Sequence, residues 1–236
     1  MAKFDSEWIP KSAMTIFAHP DDTEFSCSGT IAKWAGEGCE ITYVLCTSGD
    51  VGTHDLKYSP ESLTVLREQE QRNACALLGV QQVEFLRHED SRLVADLTLR
   101  RELVYLIRKY QPQVVFCGDP NQVFWGNRIN HPDHRAAALA AIDAIFPCAS
   151  MELLWPEEGP AHEVHGVYVR DLTLVDTWID ITGTMDLKIK ALAEHHSQLD
   201  GIRGLEAMIR QRSADTGKKH GLKYAEAFRV IKLKGD

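Results

Sequence analysis

Four short, mostly apolar runs, each followed by a helix-like segment, constrain the fold of this chain more than any other feature. The runs are AMTIFA (13–18), EITYVLCTS (40–48), QVEFL (82–86) and QVVFCG (113–118). Strands that are apolar along most of their length are usually buried on both faces of a sheet. With a helix after each of them, they predict an α/β protein with a mostly parallel sheet flanked by helices.

The segments between these runs have the periodicity and the end signals of helices. The clearest is 59–80, where Ser59 suits an N-cap, Pro60 suits the first helical position and Gly79 suits the end of the helix. Apolar residues at helical spacing also mark the next segment, which Pro112 ends. We predict helices over these two segments, 59–80 and 98–112, and two further helices over 23–38 and 131–146.

The pattern changes after Pro147, where strands and helices no longer alternate regularly. We predict strands over 162–170 and 174–182, helices over 186–201 and 202–220, and a short helical turn followed by a final strand over 224–233. No linker rich in Pro, Gly or Ser separates this part from the rest. We therefore predict a single domain over 1–236, with a core at 1–150 and an accessory β/α part at 151–236.

The composition disfavours several functional classes. The net charge of −8 argues against a general binder of nucleic-acid backbones, which usually has a basic face. No apolar run approaches the roughly 20 residues of a membrane span, and the N-terminus lacks the apolar core of a signal peptide. The six cysteines include no CxxC pair. We therefore expect a reduced, cytoplasmic chain without disulfides.

Polar side chains follow each of the four strand-like runs. They are His19–Asp22, Ser48–Asp50, His88–Asp90 and the loop that leads to His131–His134. In parallel sheets the ligands bind outside the carboxyl ends of the strands. We therefore expect these four segments to converge on one site.

The first and the last of these segments share the sequence His-Pro-Asp and suit a zinc ion. Zn²⁺ binds imidazole nitrogen and carboxylate oxygen, and catalytic sites typically use three protein ligands. His19 and Asp22 lie three residues apart across a turn, and His134 is the natural third ligand. Either motif alone could instead cap a helix, because Asp and Pro are common at helix N-termini.

The remaining polar residues of the two motifs suit proton transfer. Zinc lowers the pKa of bound water from about 16 towards about 7, and Asp21 could take the proton of that water as a general base. His131 could stabilise an oxyanion or protonate a leaving amine, and Asp133 could orient it through the far ring nitrogen. Together these residues predict zinc-assisted attack of water on a carbonyl.

Several motifs together resemble the PIG-L, or LmbE-like, family of zinc deacetylases. They are AHPDDTE, CTSGDVG, LREQEQRNACALLGV, INHPDHRAA and HHSQ, in this order within residues 13–200, with YAEAF near the C-terminus. The resemblance implies a Rossmann-like fold and removal of an N-acetyl group from an N-acetylglucosamine-type sugar or conjugate. The usual motif has the acid directly after HPDD; here Thr23 comes first, which leaves the role of Glu24 open.

The resemblance also implies a role for each matching residue. It implies zinc ligands at His19, Asp22 and His134, a general base at Asp21, and an acid or oxyanion stabiliser at His131 with Asp133 as its partner. Arg67 matches an arginine that reaches substrate hydroxyls. Asp90 matches a position that contacts the sugar, and His195 matches a residue near the mouth of the site.

Other polar and aromatic residues have weaker signals. We interpret His54 and His88 as ordinary loop histidines, whereas Asp50 could hydrogen-bond site residues. Phe124 and Trp125 could stack on a sugar ring or pack at a subunit contact. The resemblance implies a homo-oligomer, either a trimer or a hexamer.

Three rival functions remain beside an N-deacetylase acting on a small amino sugar. An amidase that removes a larger acyl group from an amino-sugar or thiol conjugate would use the same residues. A non-catalytic metal-binding protein is disfavoured, because holding zinc does not require Asp21 and His131. A nucleotide-binding module is disfavoured too, because no GxGxxG follows the first strand. The sugar itself is left open, and its recognition should depend on loops 50–60, 119–130 and 150–165.

Overall fold

The computed structural model of the protein describes residues 8–170 and 173–233. Its strands are β1 (Ser12–Phe17), β2 (Glu40–Thr47), β3 (Gln82–His88), β4 (Val114–Gly118), β5 (Phe124–Trp125), β6 (Arg128–Ile129), β7 (Gly166–Arg170), β8 (Thr177–Asp180) and β9 (Ala225–Lys232). Its α-helices are α1 (Asp22–Ser26), α2 (Ser28–Gly36), α3 (Pro60–Leu78), α4 (Leu97–Tyr110), α5 (Pro132–Ile145), α6 (Met185–Ala193), α7 (His196–Leu199) and α8 (Leu205–Lys218). Short 3-10 helices lie at Cys148–Ser150 and Pro156–Glu158.

Seven of the strands form one sheet in the order β3-β2-β1-β4-β7-β9-β8. The strands from β3 to β7 pair in parallel, and β9 runs antiparallel to both of its neighbours, β7 and β8. This confirms the predicted α/β fold with a mostly parallel sheet. Strands β7, β8 and β9 extend the same sheet as the first four. The hairpin of β5 and β6 stands apart from it.

Helices cover both faces of the sheet, as the apolar strands require. On one face, Leu103 of α4 and Ala141 of α5 share a buried cluster with Ile16 and Val115. The other face is covered by α2, α3 and α6, and its cluster includes an aromatic group of Trp34, Phe116, Tyr168 and Phe228. The central strands are therefore buried on both sides.

Helix α3 has the ends that its sequence predicts. The Ser62 backbone N–H donates to Ser59 Oγ at 3.2 Å, and Pro60 is the first helical residue. Gly79 ends the helix with φ 79°, a left-handed conformation that glycine adopts without steric cost. These local signals were sufficient to predict both ends of the helix, because they involve only residues within the helix or next to it.

Three predicted elements differ from the structure. The helix predicted over 23–38 is two helices, α1 and α2, with a break at Cys27. The helix predicted over 186–201 is likewise divided into α6 and α7. The helical turn predicted at the start of 224–233 is absent, because β9 is extended from Ala225 onwards and pairs with strands on both sides.

The order of the strands places a crevice at the end of β1. The chain runs from β1 outwards to β2 and β3, and then returns to add β4 on the other side of β1. Ligands bind at such switch points, outside the carboxyl ends of the strands.

Within the described residues, no helix combines the length and the apolar character needed to cross a membrane. All six cysteines are free and buried.

Candidate metal and catalytic site

The three residues predicted to bind a metal lie together beyond the end of β1. His134 Nε2 is 3.0 Å from Asp22 Oδ1, and His19 Nδ1 is 3.5 Å from Asp22 Oδ2. The three potential ligand atoms all lie within 4.8 Å of one another. Two imidazole nitrogens and a carboxylate oxygen suit Zn²⁺ and leave room for a fourth, non-protein ligand.

A second group of residues meets the same distance criterion and shares His19 with the first. It consists of His19, Asp90 and His131. However, His19 Nε2 lies 3.1 Å from Asp90 Oδ1 and 3.4 Å from Asp133 Oδ2, so its far nitrogen already faces two carboxylates. Carboxylates usually hold the far nitrogen of a metal-binding imidazole. This arrangement favours the group of His19, Asp22 and His134.

The electrostatics of this group favour a cation. Burial opposes charge on His19, but hydrogen bonds with Asp133, Asp22 and Asp90 raise the pKa of its imidazole well above the usual value. Burial would raise the pKa of Asp90, but the hydrogen bond from His19 and the charge of that ring lower it to about 2. Three carboxylates around one imidazole form a site that stabilises positive charge.

His134 is oriented by Asn130, a residue that the sequence analysis did not single out. His134 Nδ1 lies 3.0 Å from Asn130 Oδ1. An amide oxygen only accepts hydrogen bonds, so Nδ1 must carry the proton and Nε2 keeps its lone pair towards Asp22. The only signal for Asn130 in the sequence is its position directly before His131.

Asp21 has an unusual backbone conformation beside the metal group. Its φ of 90° is left-handed, which is rare for a residue with a side chain. Its backbone N–H donates to Gln71 Oε1 at 3.1 Å, and its Oδ2 lies 3.6 Å from Arg67 Nη2. Burial raises the pKa of Asp21 to about 6, although the charge of Arg67 acts in the opposite direction. A pKa in this range suits a general base.

Arg67 is buried and uses its guanidinium to hold two loops. Nη1 donates to the Gly49 carbonyl at 3.1 Å, and Nη2 donates to the Pro20 carbonyl at 2.9 Å. A Cβ at Gly49 would lie 2.0 Å from Arg67 Nη1, so only glycine permits this approach. Arg67 also lines the cavity above the site.

His131 is the N-cap of α5, and this contact fixes its tautomer. The Asp133 backbone N–H donates to His131 Nδ1 at 3.2 Å. A nitrogen that accepts a hydrogen bond carries no proton, so the neutral ring has its proton on Nε2. Burial and the nearby charge of His19 lower the pKa of His131, which favours this neutral form. His131 also lines the cavity.

Asp133 contacts other groups than the one that its position in the sequence predicts. Its Oδ1 lies 4.0 Å from His131 Nδ1, too far for the predicted hydrogen bond to that ring, because the backbone N–H already occupies the nitrogen. Instead, the fully buried carboxylate accepts hydrogen bonds from the Ser91 N–H at 2.7 Å and the Leu93 N–H at 3.3 Å. It thus joins the loop after β3 to α5 and faces His19.

Two of the three residues that the resemblance places at the substrate, Asp90 and His195, are buried. Asp90 is 5% exposed; it contacts His19 and also lines the cavity, and its backbone N–H donates to Asp50 Oδ1. His195 is fully buried, with Nε2 3.2 Å from Glu24 Oε2, and it is not among the residues that line the cavity. Its role in substrate binding stays a prediction.

Glu24, whose role the sequence left open, belongs to a buried network of hydrogen bonds. Its carboxylate accepts a hydrogen bond from Gln71 Nε2 at 3.1 Å, while the other oxygen faces His195. Gln71 in turn accepts the backbone N–H of Asp21. Glu24 therefore supports the loop that holds Asp21.

A cavity of about 720 Å³ opens above these residues. All predicted metal ligands line it, together with Asp21, Arg67, Asp90 and His131, whereas Asp133 and His195 do not. Trp125 also lines it, and Phe124 beside it is 70% exposed. His54 and His88 are not among the lining residues. The cavity is open to solvent and gives a substrate access to the metal group.

Comparisons with known proteins agree on one family. Residues 14–145 match the PIG-L family, described as GlcNAc-PI de-N-acetylase. A diacetylchitobiose deacetylase from Thermococcus kodakarensis is 31% identical over 94% of this chain and 83% of its own length. A 1D-myo-inositol 2-acetamido-2-deoxy-alpha-D-glucopyranoside deacetylase from Acidothermus cellulolyticus is 29% identical over 80% of each chain. The structure of N,N'-diacetylchitobiose deacetylase from Pyrococcus horikoshii, complexed with its inhibitor MPG, has a TM-score of 0.88 and 30% identity, over 97% of this chain and 88% of that one.

Proposed function

The chain belongs to the PIG-L family of de-N-acetylases, and from that premise we propose that it is a zinc-dependent hydrolase. The reaction is removal of an N-acetyl group from an N-acetylglucosamine-type sugar or conjugate. The named relatives are deacetylases of sugars of this type. One observation carries the proposal: Asp21 and His131 both line the cavity that the three potential metal ligands line.

The residues of this chain divide the chemistry between them. A bound zinc ion would polarise the amide carbonyl and acidify water. Asp21 takes a proton as the water oxygen bonds to the carbonyl carbon, because burial gives its carboxylate a pKa close to neutral. His131 donates a hydrogen bond from Nε2 to the carbonyl oxygen as negative charge develops there.

The products follow from the same assignments. The C–N bond breaks, the proton held by Asp21 passes to the departing nitrogen, and acetate and a free amine leave. Arg67 keeps Asp21 in place through its contacts with the Pro20 carbonyl and the Asp21 carboxylate. The neutral tautomer of His131 persists through the reaction, because its Nδ1 stays bonded to the Asp133 backbone N–H.

Zinc is the metal that the donor set supports best. His19, Asp22 and His134 supply two nitrogens and one oxygen, and the far nitrogens of both imidazoles face oxygen atoms of Asp90 and Asn130. Magnesium and calcium prefer oxygen ligands throughout. We therefore infer a zinc site rather than a site for a hard cation.

The proposal extends to the assembly and its location. We propose a single domain over 1–236 and a homo-oligomer, a trimer or a hexamer, and the exposed apolar residues Phe124 and Ile129 of the hairpin support a subunit contact. Six free cysteines support a reducing compartment such as the cytoplasm.

A substrate screen tests the proposed function. The zinc-loaded protein is incubated with N-acetylglucosamine, N,N'-diacetylchitobiose and N-acyl glucosamines with longer acyl chains, and free amine and released acid are measured. We expect amine and acetate in equal amounts from an acetylated sugar. Faster release of a longer acid would favour the alternative amidase. Zinc binding without any hydrolysis would favour a non-catalytic metal-binding protein.

A further inference from the structure

Asn130 connects a potential metal ligand to the hairpin of β5 and β6. Its side-chain Nδ2 donates to the Gln122 carbonyl at 2.8 Å, and its backbone N–H donates to the Val123 carbonyl at 2.8 Å. On its other side, Oδ1 lies 3.0 Å from His134 Nδ1, and the Asn130 carbonyl accepts from Arg135 Nη1 at 2.6 Å. Asn130 is buried, so these hydrogen bonds are shielded from water.

The Gln122 carbonyl determines which way round the Asn130 amide faces. A carbonyl only accepts hydrogen bonds, so it must meet Nδ2 and not Oδ1. The reverse orientation would place two oxygens 2.8 Å apart and turn the amide nitrogen towards His134. His134 Nδ1 would then accept a hydrogen bond, and the proton of the neutral ring would lie on Nε2, the nitrogen that faces Asp22. Only the observed orientation leaves Nε2 free to bind a metal.

The hairpin that carries this carbonyl next to its first strand has two different faces. Trp125 pairs with Arg128, and Phe124 pairs with Ile129. Side chains alternate between the two faces of a strand pair. Accordingly, Trp125 and Arg128 line the cavity, whereas Phe124 and Ile129 do not line it and are exposed. The inner face of the hairpin is therefore a wall of the cavity that a substrate would enter.

The hairpin has one polar connection to the rest of the described chain, and that connection is Asn130. In the part of the chain that the structure describes, every hydrogen bond formed by residues 121–129 stays within the loop 119–130. The hairpin also lies outside the seven-stranded sheet. A displacement of the hairpin therefore acts on Asn130 and, through its amide, on His134.

We propose that Asn130 is a positioning residue through which the hairpin keeps His134 in the tautomer that binds the metal. The Gln122 carbonyl orients the amide, the amide oxygen holds the proton on Nδ1, and Nε2 keeps its lone pair for the ion. One side chain thus holds both a wall of the cavity and a ligand of the metal group. This inference rests on the metal site of the proposed function and adds a residue on which that site depends.

The tautomer of His134 is the first measurement. Long-range proton–nitrogen correlation NMR of the metal-free protein, at a pH above the pKa of imidazole, distinguishes a ring protonated on Nδ1 from one protonated on Nε2. The signal that is missing in His134→Gln identifies His134. We expect the proton on Nδ1 in the wild type and on both nitrogens in exchange in Asn130→Ala, which should bind zinc about 10- to 100-fold more weakly. A proton on Nε2 in the wild type would overturn the inference.

Asn130→Asp separates the two contacts of the side chain. Both oxygens of a carboxylate accept hydrogen bonds, so the proton stays on His134 Nδ1 whichever way the group faces. The Gln122 carbonyl loses its donor, but the tautomer no longer depends on it. We therefore expect Asn130→Asp to bind zinc at least as tightly as the wild type. A loss as large as that in Asn130→Ala would show that the hydrogen bond to His134 is not what the side chain contributes.

Gly126→Val disturbs the hairpin without changing Asn130. Gly126 has φ 53°, and a Cβ added there would meet no atom within 4 Å, so valine strains the turn without a clash. We expect the zinc Kd to rise about 3- to 10-fold in Gly126→Val, but less than about twofold when Asn130→Asp is also present. Gly38→Val is the matched control, because Gly38 has φ 90° and equally open surroundings just before β2, and its zinc Kd should stay unchanged.

Zinc affinity separates this inference from the proposed function, because no hydrolysis is needed to measure it. Circular dichroism confirms that each variant is folded. A weakening by Gly126→Val that Asn130→Asp abolishes would support the connection even if no sugar is hydrolysed. An equal weakening with and without Asn130→Asp, or none in either background, would overturn it and leave the deacetylase intact.

Discussion

At the scale of single residues, Asp21 combines the strongest local constraints in the site. Its left-handed φ of 90° is unfavourable for a residue with a side chain, and it persists because the neighbouring contacts define it. Gln71 accepts its N–H, and Arg67 holds the preceding carbonyl of Pro20. Glu24 fixes Gln71 in turn. The HPDD motif therefore depends on α3 to position Asp21, the proposed base.

Asp21→Asn should separate catalysis from metal binding. Asparagine tolerates left-handed backbone, so the loop keeps its shape, while the amide cannot accept a proton. We expect turnover to fall by about 10²- to 10⁴-fold with zinc content unchanged, because the ligand group contains Asp22 and not Asp21. Amine release and metal analysis of the same preparation measure both effects.

His19→Ala is the matched variant in the same loop. It removes a ligand of the metal group, so zinc content and activity should be lost together. If Asp21→Asn kept near wild-type turnover, the assignment of Asp21 as the base would be wrong. If it lost its zinc, Asp21 would belong to the metal group instead.

At the scale of elements, one buried ion pair explains the break between α1 and α2. Lys188 of α6 donates to the Glu24 carbonyl at 2.7 Å and the Phe25 carbonyl at 3.3 Å, near the C-terminus of α1. Glu226 of β9 accepts from the N–H groups of Gly29 and Thr30 at the start of α2. Helix ends leave such groups unpaired, and the helix dipole favours a cation at the first end and an anion at the second.

The sequence could not have predicted this break. Residues 23–38 have a helical pattern along their whole length, and the two side chains that stabilise separate ends come more than 150 residues later. For the same reason the sequence did not predict the full extent of β9, because its pairing with β7 and β8 outweighs a local helical signal. In contrast, the ends of α3 depend on Ser59, Pro60 and Gly79 alone and were predicted correctly.

Glu226→Gln should destabilise the protein strongly. Lys188 is 2% exposed and Glu226 is 5% exposed, so the change leaves a buried ammonium without its counter-charge. We expect the free energy of unfolding to fall by about 3–5 kcal/mol. Urea unfolding followed by circular dichroism measures the loss.

A double variant and a surface control test whether the unpaired buried charge causes this loss of stability. Glu226→Gln combined with Lys188→Met should be less destabilised than Glu226→Gln alone, because no unpaired charge is then buried. Glu206→Gln removes an exposed partner of Arg210 and should change the free energy of unfolding far less. Equal losses in the three proteins would show that the buried pair does not stabilise this region.

At the scale of the whole molecule, the predictable part is the group of four parallel strands β1 to β4. Its strands are apolar runs with polar residues at their carboxyl ends, so the sequence alone predicted both the sheet and the edge where the site lies. The same logic brought His19, Asp22 and His134 together. Which side chains at that edge are buried was not predictable, because their burial depends on elements that lie far away in the sequence. His195, expected near the mouth, is enclosed beside Glu24, and Arg170 enters the cavity from a strand added late in the chain.

The site also joins the loops of this half of the molecule to one another. Asp90 of the loop after β3 contacts His19 after β1 and Asp50 after β2. Asp133 connects the loop after β3 to α5, and His134 contacts Asp22. A metal ion held by His19, Asp22 and His134 would connect residues that lie more than 100 positions apart in the chain. It should therefore stabilise the fold as a whole and not one loop.

Removal of the metal should accordingly lower the thermal stability of the whole domain in one transition. A ligand present at about 100 times its Kd adds about 2.7 kcal/mol to the free energy of unfolding, and for a chain of this size each kcal/mol moves the Tm by about 2–4 °C. We therefore expect chelation to lower the Tm by about 5–10 °C and added zinc to restore it, as measured by differential scanning calorimetry. His19→Ala should show no response to zinc, whereas His88→Ala, which removes a histidine that does not line the cavity, should respond like the wild type. A response of equal size in His19→Ala would mean that zinc stabilises the protein from another site.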